Sequence, residues 1–267
     1  MSPENPYQPP GSPVGDPGGE QRPGNTVESG LSGDYQLRIG EVISEAWQLT
    51  KGMKASFWGA VFVVGLVAVI ISVLLNFAGV LIAGSVGALE ANFGLQYAIN
   101  LIINALLAPL GAGILMMGVR RAAGLSISFD TVFAYLGLFV PLAILVVLQT
   151  LLTNIGYLLL ILPGIYLAVA YTLSFPLAVD RRFRPWQAME TSRRAITRRW
   201  FEVFVLLLVT WLIMVAGIIT IIGWIWTGPL VVNVHGILYR EVFGVAAARE
   251  GTEVGGAHMD VKGGFEA

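Results

Sequence analysis

Residues 132–179 read VFAYLGLFVPLAILVVLQTLLTNIGYLLLILPGIYLAVAYTLSFPLAV and contain no charged side chain. A helix needs about 20 apolar residues to cross about 30 Å of hydrocarbon. The stretch is about twice as long as one such span. It therefore predicts two membrane-spanning helices, joined by a tight turn near Asn154, Ile155 and Gly156.

Three other apolar stretches extend the pattern on either side. Residues 58–82 and 97–118 each match one span, whereas residues 201–239 are too long for one helix and predict two, with the turn at Gly223. The last of these spans is the shortest, and a re-entrant pair is the alternative interpretation. The predicted fold is all-α and integral to a membrane, with six transmembrane helices.

The composition supports a membrane protein. The chain is 55% hydrophobic and 12% charged, with a mean hydropathy of +0.73, which excludes an ordinary soluble globule whose surface must carry charge. Cysteine is absent from the sequence. Disulfides, thiolate metal sites and a cysteine nucleophile are thereby excluded.

The basic residues sort to one side of the six-span arrangement. The connections around Glu90, Asn154 and Gly223 carry no Lys or Arg. The other connections carry Arg38, Lys51, Lys54, Arg120, Arg121, the seven arginines of segment 181–199, and Arg240. By the positive-inside rule, we predict a multi-pass protein of the bacterial cytoplasmic (inner) membrane with both termini cytoplasmic.

The chain ends differ from the apolar centre. Residues 1–34 are rich in Pro and Gly and predict a disordered N-terminal tail. Residues 245–267 are rich in Gly and Ala and predict a flexible cytoplasmic tail. The six-helix transmembrane domain is therefore expected to occupy residues 35–244.

Two segments have the periodicity of amphipathic helices lying along the inner membrane surface. One precedes the first span and includes Val42, Ala46 and Trp47, and the other, before the fifth span, includes Trp186 and Met189. At one constant offset, Ala46 aligns with Ala188 and Trp58 with Trp200, while at a second offset Pro109 aligns with Pro229. The alignment predicts a parallel internal repeat of one surface helix and two spans.

Three strings resemble a bacterial membrane-protein family. They are LPGIYL at 162–167, FPLAVD at 175–180 and AMETSRR at 188–194, followed by Trp200. Together they resemble the YciC-like uncharacterised inner-membrane proteins and the membrane domain fused to some glycerophosphodiester phosphodiesterases, over residues 36–245. The resemblance implies a six-helix fold and no settled activity. The segment after the sixth span is too short for the soluble phosphodiesterase domain, so that activity is not expected.

Segment 181–199 is the densest cluster of charge, with Trp186 and Trp200 at interfacial positions. Each Arg near an anionic membrane surface adds about 1 kcal/mol of attraction. The pattern therefore predicts a lipid-headgroup site, formed by the residues Arg193, Arg194, Arg198, Arg199, Trp186 and Trp200. The alternative is that these charges only fix the orientation of the protein during insertion.

Other positions suggest transport as an alternative function. Pro163 and Gly164 predict a hinge within the fourth span, because proline interrupts helical hydrogen bonding. Asn100 and Asn104 lie four residues apart on one helix face and either line a polar path or bond neighbouring helices. His235, inside the sixth span, is either a relay group or a neutral packed imidazole.

No catalytic, metal-binding or cofactor-binding motif is recognisable. The sequence has two His residues, no HExxH, and no glycine loop that cradles phosphate. The Arg segment belongs to no known nucleic-acid module. We therefore expect a non-enzymatic scaffold or accessory protein, without a cofactor or nucleic-acid partner, that engages membrane lipids and either a protein partner or a second copy. A small-solute or lipid transporter or channel is the alternative.

Overall fold

The computed structural model describes residues 26–220 and 222–246, and these residues are helical without any strand. The predictions of a disordered N-terminal tail and a flexible C-terminal tail fall mostly outside the described residues. Residues 27–32 differ from the prediction, because they were expected to be part of the disordered N-terminal tail and form a short helix instead. Its first turn is capped by Thr26, whose hydroxyl accepts from the backbone N–H of Ser29.

Eleven α-helices and two short 3₁₀ turns make up the described part of the chain. The helices are α1 Val27–Ser32, α2 Ile39–Leu49, α3 Lys54–Ala83, α4 Val86–Ala91, α5 Phe93–Ala122, α6 Phe139–Leu159, α7 Ile161–Ala170, α8 Ser174–Asp180, α9 Pro185–Arg198, α10 Trp200–Ile219 and α11 Trp224–Phe243. The 3₁₀ turns are Phe129–Val132 and Leu136–Leu138.

Five helical stretches of the described chain are long and apolar enough to cross a membrane. They are Lys54–Ala83, Phe93–Ala122, Phe129–Leu159, Ile161–Asp180 and Trp200–Ile219. The class of protein that this fold defines is a multi-pass, all-α membrane protein. The sixth predicted span corresponds to α11, which is not among the five because Asn233, His235, Arg240 and Glu241 make it more polar.

The prediction of two helices within 132–179 is confirmed, but the turn between them lies at Leu160 and not at Asn154–Gly156. Leu160 has an extended backbone, with φ −164° and ψ 151°. Pro163 explains the position, because it has no N–H to donate to the carbonyl of Leu159 and its ring clashes with that carbonyl. Helix α6 therefore ends at Leu159. Gly156 lies inside α6, where it allows Gly164 to pack closely against it.

The fourth span is itself broken. Helix α7 ends at Ala170 and α8 begins at Ser174. Pro176 has the same effect here as Pro163 has upstream, because it removes the hydrogen bond to the carbonyl of Thr172 and crowds it. Some backbone groups at the break form turn hydrogen bonds, but the carbonyl of Ala170 and the N–H of Leu173 have no main-chain partner and must be satisfied by another element.

Helix α11 is the most enclosed of the long helices, and it packs closely on α5. A Cβ added at Gly118 would clash with the Val232 carbonyl, and one added at Gly236 would clash with the Gly118 carbonyl. In contrast, α3 fully buries only Phe57, Ala60 and Gly79, and many of its large apolar side chains, such as Phe62 and Phe77, are exposed. An exposed apolar helix of this kind is suited to contact with lipid.

Candidate functional site

The basic connections meet at one end of the helix bundle. Arg121, at the end of α5, donates from Nη2 to the carbonyl of Lys51 at 2.7 Å and from Nε to the carbonyl of Leu49 at 3.3 Å. Arg240, near the end of α11, pairs with Glu45 of α2 at 2.6 Å and donates to the carbonyl of Ala122 at 2.8 Å. We call this end the basic end.

Segment 181–199 is attached to the same end through α8. Arg181 donates from Nη2 to the carbonyl of Phe243 at 2.9 Å and pairs with Asp180 at 3.2 Å. The Asp180 carboxylate also accepts from the Tyr239 hydroxyl at 2.8 Å and from the Ala246 N–H at 3.1 Å. Asp180 and Arg181 therefore join the end of α8 to the end of α11, and both side chains have a structural role.

The two predicted amphipathic segments are helices, α2 and α9, and both turn their apolar face into the protein. In α9 the buried positions are Ala188, Met189, Ser192, Ala195 and Ile196. These residues belong to the same core as residues of α7, α8 and α11. The apolar stripe that the sequence assigned to the membrane surface is therefore covered by other helices.

Three of the four arginines predicted to bind lipid are paired within the protein. Arg193 and Arg194 both donate to Glu190, at 2.8 Å and 2.6 Å. The two guanidinium groups hold the pKa of Glu190 down at about 2, chiefly through the hydrogen bond from Arg193. Arg199 pairs with Glu202 at 2.9 Å.

Arg199 also fixes the segment that precedes α2. Its Nε donates to the carbonyl of Gly33 at 3.1 Å, and its guanidinium lies 5.6 Å from the ring centroid of Tyr35. Burial raises the pKa of Tyr35 to about 12. The hydroxyl of Tyr35 therefore stays protonated, and it donates to the carbonyl of Ala195 at 3.2 Å. Arg199 therefore helps to hold residues 33–35 against α9.

Unpaired charge lies at both ends of α9. Arg198 is exposed and has no ion-pair or hydrogen-bond partner among the described residues, and the same holds for the side chains of Arg182 and Arg184. Arg182 has a positive φ of 54°, which is uncommon for a residue other than glycine. Trp186, next to Arg184, is 60% exposed. We call Arg182, Arg184, Trp186 and Arg198 the open arginine face.

The two tryptophans predicted for the site have different surroundings. Trp200 is partly buried, donates from its indole nitrogen to the carbonyl of Tyr166 at 3.3 Å, and stacks on Phe204 at 5.0 Å between ring centroids. It therefore anchors α10 to α7. Trp186 remains exposed beside the unpaired arginines.

Pro163 and Gly164, the predicted hinge, lie in the first turn of α7. A proline there interrupts no bond within α7, because the first N–H groups of a helix have no helical partner. A Cβ on Gly164 would clash with the ring of Tyr157. The pair begins a helix at a tight elbow, and a hinge motion at this elbow remains a prediction.

The remaining polar candidates form hydrogen bonds within their own helix or to a neighbouring helix. His235 contacts the carbonyl of Val231 through Nδ1 at 2.7 Å. Asn104 donates to the carbonyl of Asn100 at 2.7 Å, and Asn100 donates to that of Gln96 at 2.8 Å. Asn154 donates to the hydroxyl of Tyr97 at 3.0 Å and so joins α6 to α5. No three His, Asp or Glu side chains of the described residues form a group that could hold a metal ion.

Ser192 is a structurally important residue that the sequence did not single out. Its hydroxyl donates to the carbonyl of Ala170 at 2.7 Å and accepts from the N–H of Leu173 at 3.2 Å. These are two of the backbone groups that the break between α7 and α8 leaves without helical partners. The available signal was a serine on the apolar face of α9, between Met189 and Ile196.

Comparison with known proteins yields no relative. No family model, curated protein or solved structure matches the chain.

Proposed function

We propose that the chain is a non-enzymatic protein of the bacterial cytoplasmic membrane, a scaffold or accessory protein that engages anionic lipid headgroups through the open arginine face. One observation carries the proposal. Arg182, Arg184 and Arg198 are exposed and have no ion-pair or hydrogen-bond partner among the described residues. Arg182 and Arg184 precede the exposed Trp186 by four and two residues, and Arg198 lies at the opposite end of α9. A fold that needed these charges only for packing would pair them, as it pairs Arg193 and Arg199.

The expected strength of the interaction follows from the number of unpaired charges. Each Lys or Arg near an anionic leaflet contributes about 1 kcal/mol. Three such residues therefore contribute about 3 kcal/mol, or a factor of about 100 in affinity. Added salt should weaken the interaction, because the charges are exposed and screened over about 8–10 Å at physiological ionic strength.

The proposed topology places the basic end and both termini in the cytoplasm. Such an arrangement needs an even number of crossings, which six spans satisfy and four spans with a re-entrant α10–α11 pair also satisfy. One contact favours the re-entrant pair. The start of α11 lies near the basic end, because the carbonyl of Ile225 accepts a hydrogen bond from Trp58 in the first turns of α3. Arg240 supplies the contact at the other end of α11.

The internal repeat and membership of the YciC-like group are further parts of the proposal, and two parallels in the structure support the repeat. Ala46 and Ala188, which the repeat aligns, are both fully buried. Trp58 and Trp200, also aligned, each donate from the indole nitrogen to a carbonyl of another helix. These parallels are those expected of two copies of one unit. Association with a protein partner or with a second copy is a further part of the proposal.

The proposal is tested by titrating the detergent-solubilised protein with short-chain phosphatidylglycerol and with phosphatidylcholine of the same chain length. The wild type should bind phosphatidylglycerol more tightly, and the triple variant Arg182→Gln, Arg184→Gln, Arg198→Gln should lose this preference. The matched control is Glu190→Gln with Arg193→Gln, which removes a paired acid and base without changing net charge. If the triple variant keeps the preference, the proposal is wrong.

A further inference from the structure

A cavity of about 300 Å³ lies between α5, α6 and α8. Its wall consists of Asn104, Leu107, Ala108, Gly111 and Leu115 of α5, with Val146 of α6 and Phe175 of α8. The volume is at the lower end of the range of about 300–1,000 Å³ that small-molecule sites occupy. The cavity is open to the surface, with Asn104 and Gly111 of its wall exposed, and Asn104 is the one polar residue in that wall.

The shape of the cavity suits a single hydrocarbon chain. Its α5 wall extends from Asn104 to Leu115, or about 16 Å at 1.5 Å per residue. A Cβ built at Gly111 would have no atom within 4 Å, so there is free space in the middle of this wall. No charged residue lines the cavity, which disfavours an ionised ligand.

Asn104 determines which polar group the ligand must carry. Its Nδ2 already donates to the carbonyl of Asn100 at 2.7 Å, while its Oδ1 accepts no hydrogen bond from the described residues. The free atom is an acceptor, and a complementary ligand must therefore be a donor. Among uncharged amphiphiles, a hydroxyl group satisfies this condition.

Two buried polar atoms near the cavity also lack partners. Gln149 lies one turn beyond Val146 on α6, and its Oε1 accepts no hydrogen bond. Ser174 adjoins Phe175 on α8, is fully buried, and its Oγ has no partner. Unsatisfied polar atoms are rare in protein interiors. Neither residue belongs to the cavity wall, so the requirement for a donor group rests on Asn104.

We infer that this cavity binds an uncharged, single-chain amphiphile that carries a hydroxyl group, with the chain along Leu107–Leu115 and the hydroxyl donating to Asn104 Oδ1. The site lies on different helices from the open arginine face and takes a ligand of different chemistry. It is independent of the proposed binding of anionic lipid, and it gives a role to Asn104, a polar residue of α5 that the proposed scaffold function does not use.

The inference is tested with two photoreactive probes of equal chain length, a diazirine-bearing fatty alcohol and the corresponding alkane. The protein is reconstituted in phosphatidylcholine vesicles, irradiated, and analysed by peptide mass spectrometry. In the wild type, the alcohol should label segment 104–115 about fivefold more than the alkane does, the effect of one net hydrogen bond of about 1 kcal/mol. Because the vesicles carry no anionic lipid, the outcome does not depend on the open arginine face.

Three variants separate the contributions. Asn104→Leu should reduce labelling by the alcohol to that of the alkane, and Gly111→Phe should reduce labelling by both probes because it fills the cavity. Asn100→Leu is the matched control, since Asn100 lies one turn away on α5 and does not line the cavity; it should leave labelling unchanged. Equal labelling of the wild type by the two probes, or an unchanged preference in Asn104→Leu, would overturn the inference.

Discussion

The indole nitrogen of Trp58 donates a hydrogen bond of 3.1 Å to the carbonyl oxygen of Ile225. Trp58 lies about one turn into α3, and Ile225 is the second residue of α11. At the same contact, the ammonium of Lys54 lies 4.3 Å from the ring centroid of Trp226. The turn between α10 and α11 is thereby tied to the end of α3 that carries the basic residues.

This contact predicts that the α10–α11 turn is not accessible from the side of the membrane that Glu90 faces. The natural sequence has no Cys, so single cysteines can be introduced without further change. A membrane-impermeant maleimide added on the Glu90 side should modify Glu90→Cys and leave Ile222→Cys unmodified. A membrane-permeant maleimide should modify both. Equal modification by the impermeant reagent would instead support six complete spans.

The break in the fourth span predicts a large effect for a small substitution. Ser192→Ala removes the hydroxyl that satisfies the carbonyl of Ala170 and the N–H of Leu173, and unsatisfied buried groups cost about 1–3 kcal/mol each. For the two groups together we expect a loss of unfolding free energy of about 2–6 kcal/mol, with faster hydrogen exchange at Leu173. Thr191→Ala on the same helix is the control and should change stability by less than about 0.5 kcal/mol. Similar losses in the two variants would contradict the role assigned to Ser192.

The packing of α5 on α11 predicts opposite outcomes at two glycines of one helix. Gly118→Ala forces a Cβ against the Val232 carbonyl, and overpacking of this kind costs about 1–3 kcal/mol. Gly111→Ala meets no atom and replaces a poor helix former with a good one, so stability should stay the same or rise by up to about 1 kcal/mol. Thermal unfolding of both variants in the same detergent provides the measurement. A stable Gly118→Ala protein would show that the two helices are not in this close contact.

The ion pairs of Glu190 predict a specific dependence of stability on pH. The pKa of Glu190 is lowered from 4.5 to about 2, so the folded state binds its proton less readily than the unfolded state does. The contribution of Glu190 to stability is therefore complete above pH 4.5 and disappears as the pH falls toward 2. The stability difference between wild type and Glu190→Gln, measured by unfolding at several pH values, should follow this course. A difference that is independent of pH would show that the carboxylate is not held by Arg193 and Arg194.

The sequence predicted the helical class, the positions of the apolar helices and the gathering of basic residues, because each depends on local composition. It placed the α6–α7 turn near Asn154 and Gly156, where glycine and asparagine are common turn signals. The position of the turn is instead determined by Pro163, because a proline prevents the helix from continuing past the residue four positions earlier, Leu159. The break before Pro176 follows the same rule.

The candidate site was harder to predict, since pairing depends on neighbours in space as well as in sequence. The spacing of Glu190 to Arg193 and Arg194, and of Arg199 to Glu202, is three or four residues and would have indicated local ion pairs. The docking of Arg199 on Gly33 could not be predicted, because the two residues are far apart in the chain. Only the structure distinguishes these arginines from Arg198, which is left open.

We propose above all that the basic end faces the cytoplasm and that the Glu90 connection faces the opposite side of the membrane. The decisive measurement is labelling of Gln187→Cys and Glu90→Cys with a membrane-impermeant maleimide, in right-side-out and in inside-out vesicles. Gln187 is exposed on α9 and carries no charge. We expect Gln187→Cys to be labelled only in inside-out vesicles and Glu90→Cys only in right-side-out vesicles. Labelling of both positions in the same type of vesicle would contradict this topology.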